Sequence, residues 1–149
     1  MFNLKARFAT AAIAIAATSA FGAPAIAGQC RTPGSMDLAN APTSPKGVTD
    51  MVISSVDLGP EINVDGRQLR TRKLVVQPGG IVPLHSHKDR PALIYTLSGS
   101  ITEYSSACGA PIEHKAGDIS READGLSHYW VNHGKAPAVL LSSDVFHGM

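Results

Sequence analysis

From Asp50 onward the chain alternates short apolar or β-branched runs with clusters of Gly, Pro, Asn and Asp. The runs are MVISSVDL, LRTRKLVVQ, ALIYTLSG, SITEYSS, DISREA, HYWVNHG and AVLLSSDVF. Each has strand length, carries residues that fit a pleated, half-buried surface, and ends at turn formers. No 3.6-residue stripe is sustained, so the pattern predicts an all-β barrel or sandwich. Pro78-Gly79-Gly80 and Leu97-Ser98-Gly99 are turn signals, and a strand is predicted from Ile81 to His87. His85 and His87 stand two apart on it. Residues i and i+2 of a strand point to one face, so two imidazoles emerge side by side.

The first 27 residues follow a different pattern. Lys5 and Arg7 precede an apolar run from Phe8 to Phe21, and Ala25-Ile26-Ala27 has the small-x-small form of a cleavage site. This is the layout of a secretory signal peptide. An alanine-rich run broken by Gly22 and Pro24 makes a poor bilayer span. Residues 1–27 are therefore expected to be removed, leaving a protein without a membrane segment, periplasmic or secreted. Residues 28–48 include CRTPGSMDLANAPTSPKG, lack periodicity, and are expected to form an irregular arm. Residues 49–149 are expected to form a single β-barrel domain, a length sufficient for one core.

Charge and cysteines narrow the setting. Without residues 1–27 the chain carries 11 basic and 12 acidic residues, a formal charge of −1. That balance argues against nucleic acid or an anionic membrane surface as partner. Cys30 and Cys108 are the two cysteines, and an oxidising compartment favours pairing them. A bridge between them would tie the arm to the domain across a long loop and contribute about 2–4 kcal/mol.

Two spaced motifs carry a resemblance. Gly79, five intervening residues, His85, His87 and then Gly99 follow the pattern G-x5-H-x-H-x(3,4)-E-x6-G, and GDISREADGLSHYWVN places Gly117, Gly125, His128 and Asn132 on G-x5-P-x-G-x2-H-x3-N, with Ala123 in the proline place. In this order the pair resembles a small single-domain cupin, over roughly residues 70 to 145. The resemblance implies a jelly-roll barrel with a divalent metal held by His85, His87 and His128. It also implies a glutamate ligand, but the glutamate place holds Ala92.

Three imidazoles remain an adequate ligand set for Zn, Cu, Fe or Ni. With neutral ligands the ion keeps its full +2 charge, which favours an anionic ligand and lowers the pKa of bound water. Asp89, Glu103 and Glu122 are the acids that could stand in for the missing one, although solvated surface carboxylates are the plainer account of all three. An alternative is a barrel without metal, its histidines kept as hydrogen-bonded interior groups.

His114, His133 and His147 lack partner spacing and are expected on the surface or in loops. Tyr95, Tyr129 and Trp130 are expected to pack the core or rim. Asp89-Arg90 could form an ion pair at the barrel mouth, with a plain solvated turn the simpler reading.

Two functions remain open at this level. One is a metal-dependent enzyme, dioxygenase-like or using Lewis-acid chemistry, on a small anionic molecule, with Tyr95 or Glu103 as candidate proton-transfer groups. The other is a non-catalytic binder of metal or small ligand in the cell envelope. MFNLKARF lacks a twin-arginine pair, so metal is expected to be acquired after export. Zn, Cu, Mn and Ni then compete with Fe. By analogy with small cupins, an exposed edge near MVISSVDL suggests a homodimer.

Overall fold

The computed structural model describes residues 28–147, so the expected signal segment lies outside the described residues. Within these bounds the chain forms β1 (Lys46–Asp57), α1 (Leu58–Ile62), β2 (Arg67–Ser86), β3 (Ala92–Ser98), β4 (Ser100–Ser105), β5 (Ile112–Lys115), β6 (Ile119–Glu122), β7 (Ser127–Val131) and β8 (Ala138–His147). The strands pair in the order β5-β4-β7-β2-β8-β3-β6, with β1 added to β2. This is the nearly closed all-β barrel that the short alternating runs predict.

Alternation decides what faces inward. On β3 Ala92, Ile94 and Thr96 are buried while Leu93, Tyr95 and Leu97 are exposed; β4 buries Ile101, Glu103 and Ser105, and β8 buries Ala138, Leu140, Ser142 and Asp144. Leu74, Val76, Ala92, Ile94, Ile101, Trp130, Ala138 and Leu140 form one apolar cluster. Each large side chain there contributes about 1.5–3 kcal/mol by leaving water, and truncating Leu140 to Ala should cost about 2–5 kcal/mol. Along β4, β7 and β8 the interior grades from this apolar floor to a polar end holding Glu103, His128 and Asp144.

Pro78-Gly79-Gly80 marks a bend and not the expected strand break. β2 runs through it and changes partner, pairing with β8 over Arg67–Val76 and with β7 from Ile81. A Cβ on Gly80 would lie 2.7 Å from the Gln77 carbonyl oxygen and 2.8 Å from Val76 Cγ1, so only glycine fits the corner. Asn132 secures the same region. Its side-chain amide donates to the carbonyls of Val76 (2.8 Å) and Ala136 (2.9 Å) and accepts from the Gly134 N–H (2.8 Å), closing the β7–β8 turn.

Two further differences from the sequence pattern matter. The PIEHKAG segment, expected as surface or loop, contains β5, and β1 begins at Lys46, ahead of the expected domain start. Cys30 and Cys108 form a disulfide with Cα atoms 5.6 Å apart, tying the arm to the β4–β5 connection.

Candidate metal centre

His85 lies near the end of β2, opposite His128 on β7 in the antiparallel register. A register shift between Val82 and His85 precedes this pair. β2 ends at Ser86, so His87 stands just past the strand, where its N–H donates to the Leu126 carbonyl (2.7 Å). The i, i+2 spacing and one cross-strand pair thus bring the three rings together, with centroids 4.6 to 5.0 Å apart. His87 and His128 are buried, and His85 is partly so.

The outer nitrogens decide what the inner ones can do. His85 Nδ1 lies 2.8 Å from the Pro83 carbonyl oxygen and His87 Nδ1 2.7 Å from that of Arg90. A carbonyl only accepts, so both Nδ1 atoms carry the proton and donate. His128 Nδ1 lies 2.9 Å from Glu103 Oε1 and donates to that carboxylate. The three Nε2 atoms are left with lone pairs facing one another. His85 Nε2 is 3.1 Å from His87 Nε2 and 3.2 Å from His128 Nε2.

Neutral lone pairs at that distance repel unless a cation lies among them. Imidazoles around one first-row ion, each at about 2.1 Å, place their nitrogens about 3 Å apart. The donor set therefore fits a divalent metal. Burial, then the neighbouring His128, holds His85 down at about 3. Burial likewise holds His87 at about 4. These two rings are in the neutral form that metal binding needs.

Behind His128 the expected surface carboxylates are buried. Glu103 is 2% exposed, and its Oε2 accepts from His114 Nε2 at 2.8 Å. His114 is 1% exposed and stacks on Trp130 at 4.6 Å, contrary to its expected surface role. The two imidazole hydrogen bonds outweigh the desolvation that would raise Glu103, and its pKa falls to about 2. Glu122 is fully buried. Its Oε1 accepts from Ser120 Oγ at 2.5 Å, while Oε2, 3.1 Å from His128 Nδ1, makes no hydrogen bond. Burial pushes Glu122 up to about 7. These acids sit on the Nδ1 side of His128, away from the converging Nε2 atoms.

The Nε2 side opens into a cavity of about 180 Å³. Leu74, Val82, Ile94, Trp130 and Leu140 give it apolar walls, and Arg72, Arg90 and Ser142 give it a polar flank. Asp144 anchors that flank. It accepts from Arg70 Nε at 3.0 Å and Arg70 Nη2 at 2.8 Å, and from Arg90 Nη1 at 3.3 Å, with Arg72 Nη2 at 3.6 Å. Arg72 also pairs with Asp50, and its Nε is buried without a partner among the described residues. Burial, then the Arg72 charge, lowers the pKa of Arg90.

The remaining sequence candidates lie elsewhere. Asp89 is exposed and pairs with Arg67 and His147, not with Arg90, and is no part of the histidine cluster. Arg90 turns inward instead. His133 bonds the Tyr104 hydroxyl at 2.9 Å on the exterior, Tyr129 stacks on Tyr104, and Tyr95 is exposed on the outer face of β3, remote from a proton-transfer role. Trp130 packs the core. Asp144, Arg70 and Arg72 had no place in the sequence reading. The usable signal was parity, because Asp144 continues the inward series of Ala138, Leu140 and Ser142.

Comparison with known proteins agrees with this architecture. A family model described as the cupin domain matches residues 72–144. Germin-like protein 1 of Brassica napus is 31% identical over 106 residues, 66% of this chain and 50% of that protein. Auxin-binding protein ABP19b of Prunus persica is 31% identical over 83 residues, 54% of this chain and 40% of that protein. The chain thus spans half or less of the length of these plant relatives. Among solved structures, a predicted oxalate decarboxylase from Thermotoga maritima superposes with a TM-score of 0.56 at 22% identity, covering 77% of this chain and 92% of that one. That likeness concerns the fold.

Proposed function

The chain belongs to the cupin superfamily, and from that premise we propose that it holds a divalent metal through Nε2 of His85, His87 and His128 and binds a small anionic molecule beside it. The observation that carries this reading is the set of three Nδ1 atoms placed on oxygen acceptors, which leaves His87 Nε2 and His128 Nε2, 3.1 and 3.2 Å from His85 Nε2, free to share one ion with it. When bound, the metal supplies a Lewis-acidic +2 charge that three neutral ligands do not offset.

The chain's own residues do the rest. Arg90 is the cation in surplus on the flank, since its partner Asp144 is already engaged in a two-point pair with Arg70. It binds and orients an anionic group, and the unpartnered Arg72 Nε adds a donor. Leu74, Val82, Ile94 and Leu140 exclude water from the remainder of the ligand. The Cys30–Cys108 bridge supports an oxidising compartment, and we assign the protein to the periplasm or the exterior on that ground.

Elemental analysis of protein purified from its native source tests the reading. About one equivalent of Zn, Cu, Mn, Ni or Fe is expected in the wild type and a large loss in His128→Ala; equal metal in the two would end the three-histidine assignment. A second reading, ligand holding without turnover, is supported by the cavity lining. Among the described residues its acid–base groups beyond the three histidines are Asp50, Arg72 and Arg90, and Asp50 is engaged with Arg72. Dioxygen uptake or product formation with small carboxylic acids would separate enzyme from binder. Met51, Val52 and Ile53 of β1 are exposed, and we assign that ribbon to homodimer contact. A monomeric mass by light scattering would reject the contact.

A further inference from the structure

Resting on the metal reading above, we propose that Glu103 is a positioning residue for the centre. Its carboxylate fixes the His128 tautomer from behind and supplies there the negative charge that Ala92 does not supply at the ligand position. The register explains how. On adjacent strands Glu103 stands opposite Trp130 of β7, while Ser105 stands opposite His128 and Ile101 opposite His114 of β5. Glu103 is therefore the diagonal neighbour of both histidines, within reach of each on the inward face. The result is a line of three buried side chains, His114 Nε2 to Glu103 Oε2 at 2.8 Å and Glu103 Oε1 to His128 Nδ1 at 2.9 Å.

Such a carboxylate is costly to bury unless it meets donors and positive charge. Two imidazole N–H groups satisfy its oxygens. A cation on the far nitrogen of His128 would complete the balance, because a metal polarises the ring and strengthens the Nδ1–H bond to the acid. His114 has no direct line to the metal side. Its stacking on Trp130 holds it where it can restrain Oε2, so that Oε1 stays on His128. Glu122 is the rival for the same proton, with Oε2 3.1 Å from Nδ1. That approach lacks hydrogen-bond geometry, and its other oxygen is held by Ser120. The Trp130 indole N–H is directed at the same Nδ1 from 3.1 Å and competes for the opposite tautomer, in which Nδ1 accepts and Nε2 carries the proton; the Glu103 carboxylate, an acceptor at 2.9 Å, is the nearer partner and holds the proton on Nδ1.

The test compares the purified, metal-stripped full protein with its Glu103→Gln and Glu122→Gln variants. Glutamine keeps the shape and an acceptor oxygen while removing the charge. Zinc affinity is measured by competition with a chromophoric chelator, and the visible spectrum of the cobalt-loaded form reports ligand geometry. Glu103→Gln should weaken zinc binding by about 10- to 100-fold, the usual effect of losing the acid behind a metal-bound histidine, and should shift the cobalt bands. Glu122→Gln should weaken it less. Unchanged affinity and spectrum in Glu103→Gln, or the larger loss in Glu122→Gln, overturns the assignment.

Failure of the wild type to bind either ion overturns the metal reading itself and this inference with it. If Glu103→Gln does not fold, the wild-type metal-free protein still decides. Long-range nitrogen–proton NMR correlations should show His128 protonated at Nδ1 with a strongly deshielded proton. Protonation at Nε2 instead refutes the role.

Discussion

On β6, Glu122 faces the barrel interior directly across from Ala92; on β8, Asp144 does the same from the other side of β3. Both carboxylates are almost wholly removed from solvent. Asp144 meets three guanidinium groups, two of them within 3.3 Å. Glu122 meets a serine hydroxyl, His128 Nδ1 at 3.1 Å and the neighbouring Glu103, and burial pushes it up to about 7. Equal burial therefore meets unlike partners, because they come from different strands: Arg70 and Arg72 from β2, Ser120 from β6 itself. The comparison also accounts for Ala92. A glutamate there would place a third inward carboxylate in register between two others.

Removing the anion from the arginine side should have the largest effect. Asp144→Asn leaves three clustered guanidinium groups without their shared partner, and breaking a buried pair from one side costs about 3–5 kcal/mol. Urea unfolding of the metal-free protein would measure it, and a loss well under 1 kcal/mol would mean that solvent already screens the cluster.

The Glu122 side should answer to pH. Its folded-state pKa lies above the ordinary 4.5, so the stability it confers is complete below about 4.5 and is lost as pH rises to about 7. His85 and His87 work in the other direction. Their values are depressed from 6.5, so their contribution is complete above 6.5 and is lost as pH falls toward 3 to 4. Glu122→Gln removes the first dependence and leaves the second. The difference in stability between variant and wild type, without metal, should grow in favour of the variant by up to about 3 kcal/mol between pH 4.5 and 7. A difference that is flat across that range would show Glu122 to be ionised throughout.

The smallest effect is expected from Ala92→Glu. Overpacking beside Glu122 and Asp144 should cost about 1–3 kcal/mol, partly recovered in the double variant with Glu122→Gln. Strict additivity in the double-mutant cycle would separate the two positions and undo the account of Ala92.

Much of this site was legible one strand at a time. The spacing of His85 and His87, and the two glycine-punctuated motifs that add His128, depend on local parity and turn chemistry. The alternation that makes the strands is local in the same way. The burial of Glu103, His114 and Asp144 escaped because a carboxylate or imidazole on an alternating run looks the same whether its face is wet or dry. For Glu103 the inward neighbours Ile101 and Ser105 carried a weak hint, and for Asp144 the series from Ala138 to Ser142 carried a stronger one. Pro78-Gly79-Gly80 misled for a related reason. Those residues permit a turn or a sharp bend equally, and the strand that pairs with each half decides between them.

By itself, the order of residues determined an all-β chain, the family motifs, the three histidines able to share one point, and the two cysteines available to pair. These follow from short-range periodicity and from chemistry that a residue carries wherever it is placed. Tertiary structure alone decided which acids are buried, which arginines gather on Asp144, and that Glu103 backs His128. Charge state and hydrogen-bond partnership in a barrel are set across strands distant in the chain, by dielectric and distance, and neither quantity exists before the strands meet.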